Sequence, residues 1–247
     1  MNGKNYLIIA LTAIVAFAGG FLLANTINRT DTDALRSEVD SLKAAKAASN
    51  SSSESLNLSN EEIDAKIAEA DQKPDDLKYQ KSLGVALYRY GAMKQDVSIV
   101  EKAIRLLERA VSADPKDAEV LTALANSYFD IGYFRKDNAA FVKARDFYQK
   151  ALAQKPKDGG LRTDLALTYF LQEPPDLENA AKEFDVAITD DPKNERGMQY
   201  YIQSLVKQGN SAKANEVLTK LRALNPTSQA LPELTNLINS GANANIK

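Results

Sequence analysis

Five prolines recur along the C-terminal two thirds of this chain at separations of 41, 41, 36 and 34 residues: Pro74, Pro115, Pro156, Pro192 and Pro226. Four of them follow a trio of small or apolar residues spaced by four and then three positions: Ala103, Leu107, Ala110; Ala144, Tyr148, Ala151; Ala180, Phe184, Ala187; and Ala214, Leu218, Leu221. Self-similarity at such a period is typical of a fold built from stacked units.

A second apolar element precedes each trio, at Leu83-Gly84 with Leu87, Leu124-Ala125 with Tyr128, Leu165-Ala166 with Tyr169, and Tyr201-Ile202 with Leu205. Both elements have helical spacing, and proline ends the second because it lacks a backbone donor. The sequence therefore predicts an all-α fold of four helical hairpins, at 76–115, 117–156, 158–192 and 194–226. No hairpin can bury its apolar face alone, so the units must stack.

This pattern resembles the tetratricopeptide-repeat (TPR) family over 75–238, about two thirds of the chain. The shared features are Leu-Gly followed by an aromatic residue on the first helix, Ala, an aromatic residue and Ala on the second, and the closing proline. The tryptophan that often opens a TPR is absent, and Gln80, Leu121, Arg162 and Met198 stand in its place. The resemblance implies a TPR solenoid of about four repeats with a capping helix at each end.

Several local features predict where the helices begin and end. Seven extra residues in each of the first two repeats, 92–98 and 133–139, either extend the helices or form matching loops. Ser59 with Glu62 and Ser98 with Glu101 have capping-box spacing, and Asp117 and Asn138 suit N-cap positions. We expect an N-capping helix at 60–73, a closing helix at 228–238 and a disordered tail at 239–247.

The N-terminus contains an uncharged apolar run, 6–24, after a short tail, 1–5. Its 19 residues would reach roughly 28 Å as a helix, enough to cross a bilayer once. We expect an uncleaved signal-anchor in the inner (cell) membrane with the repeats outside the cytoplasm. The alternatives are a cleaved signal peptide, which would leave a secreted or periplasmic protein, and a cytoplasm-facing domain, favoured by the basic residues that follow the span.

Residues 25–48 are predicted to form a stalk, and 49–59 a flexible Ser/Asn linker. Thr32, Leu35, Val39 and Leu42 have the spacing of a short coiled-coil seam, although a single solvated helix fits equally well. A small-residue stripe along the predicted span, including Ala16 and Gly20, favours a possible homodimer.

Composition excludes several functions. The chain has no cysteine and no histidine, which removes thiolate and imidazole ligands and the commonest catalytic bases. Its net charge of −2 gives no field to attract nucleic acid. We therefore expect no enzyme activity, no catalytic residue, no metal or cofactor and no nucleic-acid partner.

The resemblance also implies a binding surface, because the first helices of TPR units line a concave groove that receives a polypeptide segment. Carried over to this sequence, the groove residues are Lys78, Lys81, Tyr88 and Arg89, then Thr122, Asn126, Phe129 and Asp130, then Thr163, Leu167 and Phe170, and finally Gln199, Gln203 and Lys207. The family's carboxylate clamp is incomplete, since Val85 stands where an asparagine is needed.

These features together predict a membrane-anchored TPR scaffold or adaptor that binds other proteins during assembly or maturation of envelope complexes. The alternative is a structural protein that self-associates at the membrane surface.

Overall fold

The computed structural model describes residues 58–244, with side chains described to residue 241. This part of the chain is all α-helical, which confirms the predicted class. Its helices are α1 (Asn60–Asp71), α2 (Leu77–Lys94), α3 (Val97–Ala113), α4 (Ala118–Arg135), α5 (Asn138–Gln154), α6 (Gly159–Leu171), α7 (Leu177–Asp190), α8 (Glu195–Lys207), α9 (Ser211–Leu224) and α10 (Leu231–Ala244).

Consecutive helices pair into four hairpins, α2/α3, α4/α5, α6/α7 and α8/α9, which fall in the four predicted repeat ranges. The first helix of each hairpin also packs on the first helix of the next, in the order α2, α4, α6, α8, whereas second helices contact each other far less. Because the first helices lie closer together, the array curves toward them. The described residues thus form a helical-repeat solenoid with the first helices on its inner side.

Helices α2 to α9 each begin after an acidic or amide residue whose side chain accepts a hydrogen bond from the first turn: Asp76, Asp96, Asp117, Asp137, Asp158, Asp176, Asn194 and Asn210. The predicted capping box of Ser59 and Glu62 is present, and Asp117 is an N-cap as predicted. The predictions for Ser98 and Asn138 were wrong. Asp96 and Asp137 are the caps there, because α3 starts two residues earlier than expected and α5 one residue earlier.

The two seven-residue insertions extend the helices. Helices α2 and α4 have 18 residues, against 13 for α6 and α8, and only two residues separate each long pair. The turns reverse sharply because Gln95 and Lys136 adopt left-handed backbone conformations, with φ of 54° and 53°. The insertions therefore lengthen the first two hairpins instead of adding loops.

Small residues allow the paired helices to approach closely, as the repeat pattern predicts. A Cβ atom at Gly84 would lie 2.9 Å from the Cγ atom of Leu107, and Ala103 and Ala125 are completely buried. Large aromatic side chains fill the spaces between helices, since Tyr148 and Phe184 are also completely buried. The result is one continuous apolar core from α1 to α10.

The two ends of the array are covered by single helices. Helix α1 buries Ile63 and Ile67 against the first hairpin. Helix α10 continues to Ala244, six residues beyond the predicted end at 238. No helix between residues 58 and 244 is long and apolar enough to cross a membrane. The predicted span, the stalk and most of the linker lie outside the described residues.

Candidate protein-interaction surface

The predicted groove residues occupy equivalent positions on the four first helices, at the fifth, ninth, twelfth and thirteenth residues, with Lys78 at the second. We call this set the inner face. The structure brings its members onto one side of the solenoid, but their accessibility differs. Lys78, Arg89 and Lys207 are exposed, and Lys81, Thr122, Gln199 and Gln203 are half-buried; the remaining seven, Tyr88, Asn126, Phe129, Asp130, Thr163, Leu167 and Phe170, are buried.

The N-terminal end of the inner face is a charged cluster. The Lys81 Nζ atom lies 2.6 Å from Asp117 Oδ2 and 2.9 Å from Glu119 Oε2, while Arg89 Nη2 is 3.6 Å from Glu119 Oε1. Asp117 also caps α4 by accepting hydrogen bonds from the backbone of residues 119 and 120. One carboxylate therefore both starts α4 and connects it to α2.

The ionisation of this cluster follows from its contacts. Partial burial lowers the pKa of Lys81, but hydrogen bonds to Asp117 and Glu119 outweigh burial and raise the pKa above its usual value. Burial likewise opposes ionisation of Asp117, yet the hydrogen bonds from Lys81 and the α4 backbone leave its pKa below the usual range. Both groups are therefore charged at neutral pH.

The middle of the inner face is packed and hydrogen-bonded. The Tyr148 hydroxyl donates to Asn126 Oδ1 at 2.8 Å, and the ring of Phe129 meets Phe141 edge to face. The Thr163 hydroxyl donates to the Gly159 carbonyl and accepts from Asn194 Nδ2 at 2.8 Å. These side chains stabilise the stack, so we do not assign direct partner contact to them.

The C-terminal end combines aromatic rings with polar groups. Phe170 lies edge to face with Tyr200, with ring centroids 6.2 Å apart, and Lys207 Nζ lies 4.6 Å from the Phe170 centroid. Gln199 and Gln203 remain partly accessible on α8. Burial raises the pKa of Tyr200 to about 12, so its hydroxyl stays protonated at neutral pH. This end can therefore offer amide and ammonium contacts beside two buried aromatic rings.

Sequence reasoning missed Glu119 and Arg196, although both occupy the same second position of a first helix as Lys78. Arg196 Nη2 donates to Asp164 Oδ1 at 2.5 Å and so connects α8 to α6. Extending the register of Lys78 to the later repeats would have found both residues. Partner binding by any inner-face residue stays a prediction.

Comparisons with known proteins agree on the fold. Residues 85–178 match the family model of the plant-specific mitochondrial import receptor subunit TOM20, which is less than half of the chain. The crystal structure of MamA superposes with a TM-score of 0.53 at 19% identity, covering 67% of this chain and 87% of MamA. MamA 41-end from Desulfovibrio magneticus RS-1 superposes with a TM-score of 0.52 at 18% identity, covering 68% of this chain and 86% of that chain.

A MamA RS-1 double mutant gives a TM-score of 0.53 at 18% identity, covering 69% of this chain and 86% of that chain. No curated protein sequence matches the chain. At these identities the likeness shows a TPR-like helical-repeat fold.

Proposed function

We propose that this protein is a scaffold that binds a polypeptide segment along its inner face and performs no chemistry of its own. The observation that carries the proposal is the side-by-side packing of α2, α4, α6 and α8, which presents equivalent positions of four helices as one surface. Such a surface can bind an extended or helical peptide through several weak contacts at once.

The accessible residues indicate what the partner segment offers. Arg89 and Lys207, at opposite ends, supply positive charge, while Gln199 and Gln203 can donate to and accept from a peptide backbone. A segment with an acidic residue near each end and a polar middle would fit both. Contacts at the charged rim are each worth about 1 kcal/mol or less, so useful affinity needs many of them together.

The second part of the proposal is the location. We propose that residues 6–24 anchor the protein in the inner membrane, with the repeats outside the cytoplasm and partners in envelope assembly or maturation. The run of nineteen uncharged and mostly apolar residues supports this assignment. Protease added to intact spheroplasts should cut the 49–59 linker; protection until lysis would contradict the orientation.

Site-specific photocrosslinking in intact cells tests the scaffold. A photoreactive residue at Gln199 or Gln203 in the full-length protein should give defined adducts with another polypeptide. The matched control places the photoreactive residue at Val142 or Val186, which are exposed on second helices, and it should give little adduct. Equal adducts from all four positions would overturn the inner-face assignment, and adducts only with the protein itself would favour a self-associating membrane-surface protein.

A receptor for polypeptides in transit is a more specific candidate, favoured by the match to an import receptor subunit over residues 85–178. In that case the inner-face adducts should form with newly made chains and disappear when synthesis is blocked. A stable scaffold should instead keep the same adducts after synthesis stops.

A further inference from the structure

Helix α1 has the position and pattern of a second helix whose first helix is missing from the described residues. Its buried Ile63, Ile67 and Ala70 repeat the four- and three-residue spacing of the later hairpins. Three ion pairs join α1 to α3, itself a second helix: Lys102 with Asp64 at 2.6 Å, and Arg105 and Arg109 with Asp71 at 2.8 and 2.7 Å. Helix α1 therefore extends the layer of second helices by one unit.

The place of the corresponding first helix is an apolar groove of about 320 Å³ between α1 and α2. Most of its lining is apolar: Leu58, Ile63, Ala65, Leu83, Ala86, Leu87 and Tyr90, with Glu62 and Lys66 also at its edge.

Among the described residues, α2 lacks the preceding first helix that α4, α6 and α8 each pack against. The tenth residue of α4, α6 and α8, namely Ser127, Thr168 and Ser204, is 0% exposed in each case, whereas the equivalent Ala86 of α2 is exposed. Each of the three buried positions lies on a first helix that packs against the first helix of the preceding hairpin. Helix α2 has no such partner among residues 58–244.

We propose that residues 32–48 occupy the α1/α2 groove as the first helix of a further hairpin, completed by α1. As a helix, these 17 residues would be about 25 Å long, close to the 18-residue α2. Leu35, Val39 and Leu42 would form one apolar stripe along it. This stripe would pack against Ala86 and the other apolar residues that line the groove.

The chain path fits this occupant. The Leu58 backbone N–H donates to the Tyr90 hydroxyl at 2.9 Å, which fixes the chain at the groove beside the last turns of α2. The nine residues 49–57 can span up to about 30 Å when extended, so they can connect the helix to α1. In each of the four described hairpins, the first helix likewise ends close in sequence to the start of its second helix. The predicted stalk would then be part of the solenoid, and the repeats would lie close to the membrane.

Cysteine crosslinking tests the arrangement, because the natural chain contains no cysteine. The full-length protein carrying Val39→Cys and Ala86→Cys, in mild detergent, is treated with a short bis-maleimide. We expect an intramolecular crosslink at least tenfold faster than in the control that pairs Ala86→Cys with Ser37→Cys, because Ser37 lies on the opposite side of the predicted helix. Equal rates in the two variants, or crosslinks only between two chains, would overturn the proposal.

Hydrogen exchange provides an independent measurement. Amides of residues 36–48 should be protected in the natural protein and exchange at least tenfold faster after Ala86→Arg, which fills the groove with a charged side chain. Val142→Arg, on the exposed side of α5, should leave that protection unchanged. Unprotected amides in the natural protein would contradict the inference whether or not the scaffold function holds.

Discussion

Arg196 and Asp164 form a hydrogen-bonded ion pair between the first helices of the last two hairpins, with 2.5 Å between Nη2 and Oδ1. The Asp164 side chain is 1% exposed and that of Arg196 is 18% exposed. Burial lowers the pKa of Arg196, but an arginine with this partner remains charged at neutral pH. The pair therefore holds two opposite charges inside the stack.

Removing only the arginine should be strongly destabilising. Arg196→Met leaves a buried carboxylate without this partner, so the free energy of unfolding should fall by about 3 kcal/mol. Urea denaturation followed by circular dichroism measures the change. The double variant Asp164→Leu with Arg196→Met should recover much of the loss, whereas Arg222→Met, at an exposed position of α9, should change little. A double variant less stable than Arg196→Met would contradict the argument.

Glycine at position 84 is required by packing. Gly84→Ala places a Cβ atom 2.9 Å from Leu107, so we expect a loss of about 1 to 3 kcal/mol from overpacking. At Gly160 the nearest atom would be 3.4 Å away, and Gly160→Ala should instead stabilise α6 by up to about 1 kcal/mol. Thermal denaturation of both variants shows whether each substitution lowers or raises the stability. A stabilising Gly84→Ala would show that α2 and α3 can separate at no cost.

The left-handed residues that end α2 and α4 should be improved by glycine. Gln95→Gly or Lys136→Gly removes a Cβ atom from a φ near 54°, and we expect a gain of about 0.5 to 1 kcal/mol. Lys220→Gly, within α9, is the matched control and should cost about 1 kcal/mol. Midpoints of urea unfolding measure both effects. A loss at residues 95 and 136 would indicate that their side chains stabilise the turns.

The Asp117 carboxylate should make stability depend on acid pH. Its folded pKa is depressed, so its contribution is present above the unfolded value of about 3.9 and is lost as the pH falls through the folded value. Lys81 has a raised pKa, and its contribution is lost only as the pH rises through that value. Asp117→Asn should therefore lose less stability than the natural protein between pH 5 and pH 2, because the variant lacks this one carboxylate with a depressed pKa.

Urea unfolding at several pH values measures this difference, with the exposed Asp75→Asn as the control that should follow the natural curve. Identical acid dependence in Asp117→Asn and the natural protein would contradict the assigned role of the Lys81 pair.

The sequence by itself determined the hairpins. Each repeat contains its own helix periodicity and terminating proline within about 40 residues, so the units at Pro115 and Pro156 could be recognised without knowing any distant contact. The caps were less certain, because Asp96 and Ser98 compete at one turn and only the exact turn length decides between them. Spacing could not show whether the insertions would lengthen helices.

Tertiary structure decided which inner-face residues are accessible. Spacing placed Phe129 and Leu167 on the same face as Gln203, but it could not show that the first two are buried while the third is partly exposed. Burial depends on which parts of the chain lie against a residue, and those parts are one repeat or more away. The same distance hid Asp164 as the partner of Arg196, because the register of Lys78 points to position 196 but does not show which residue of the preceding repeat lies against it.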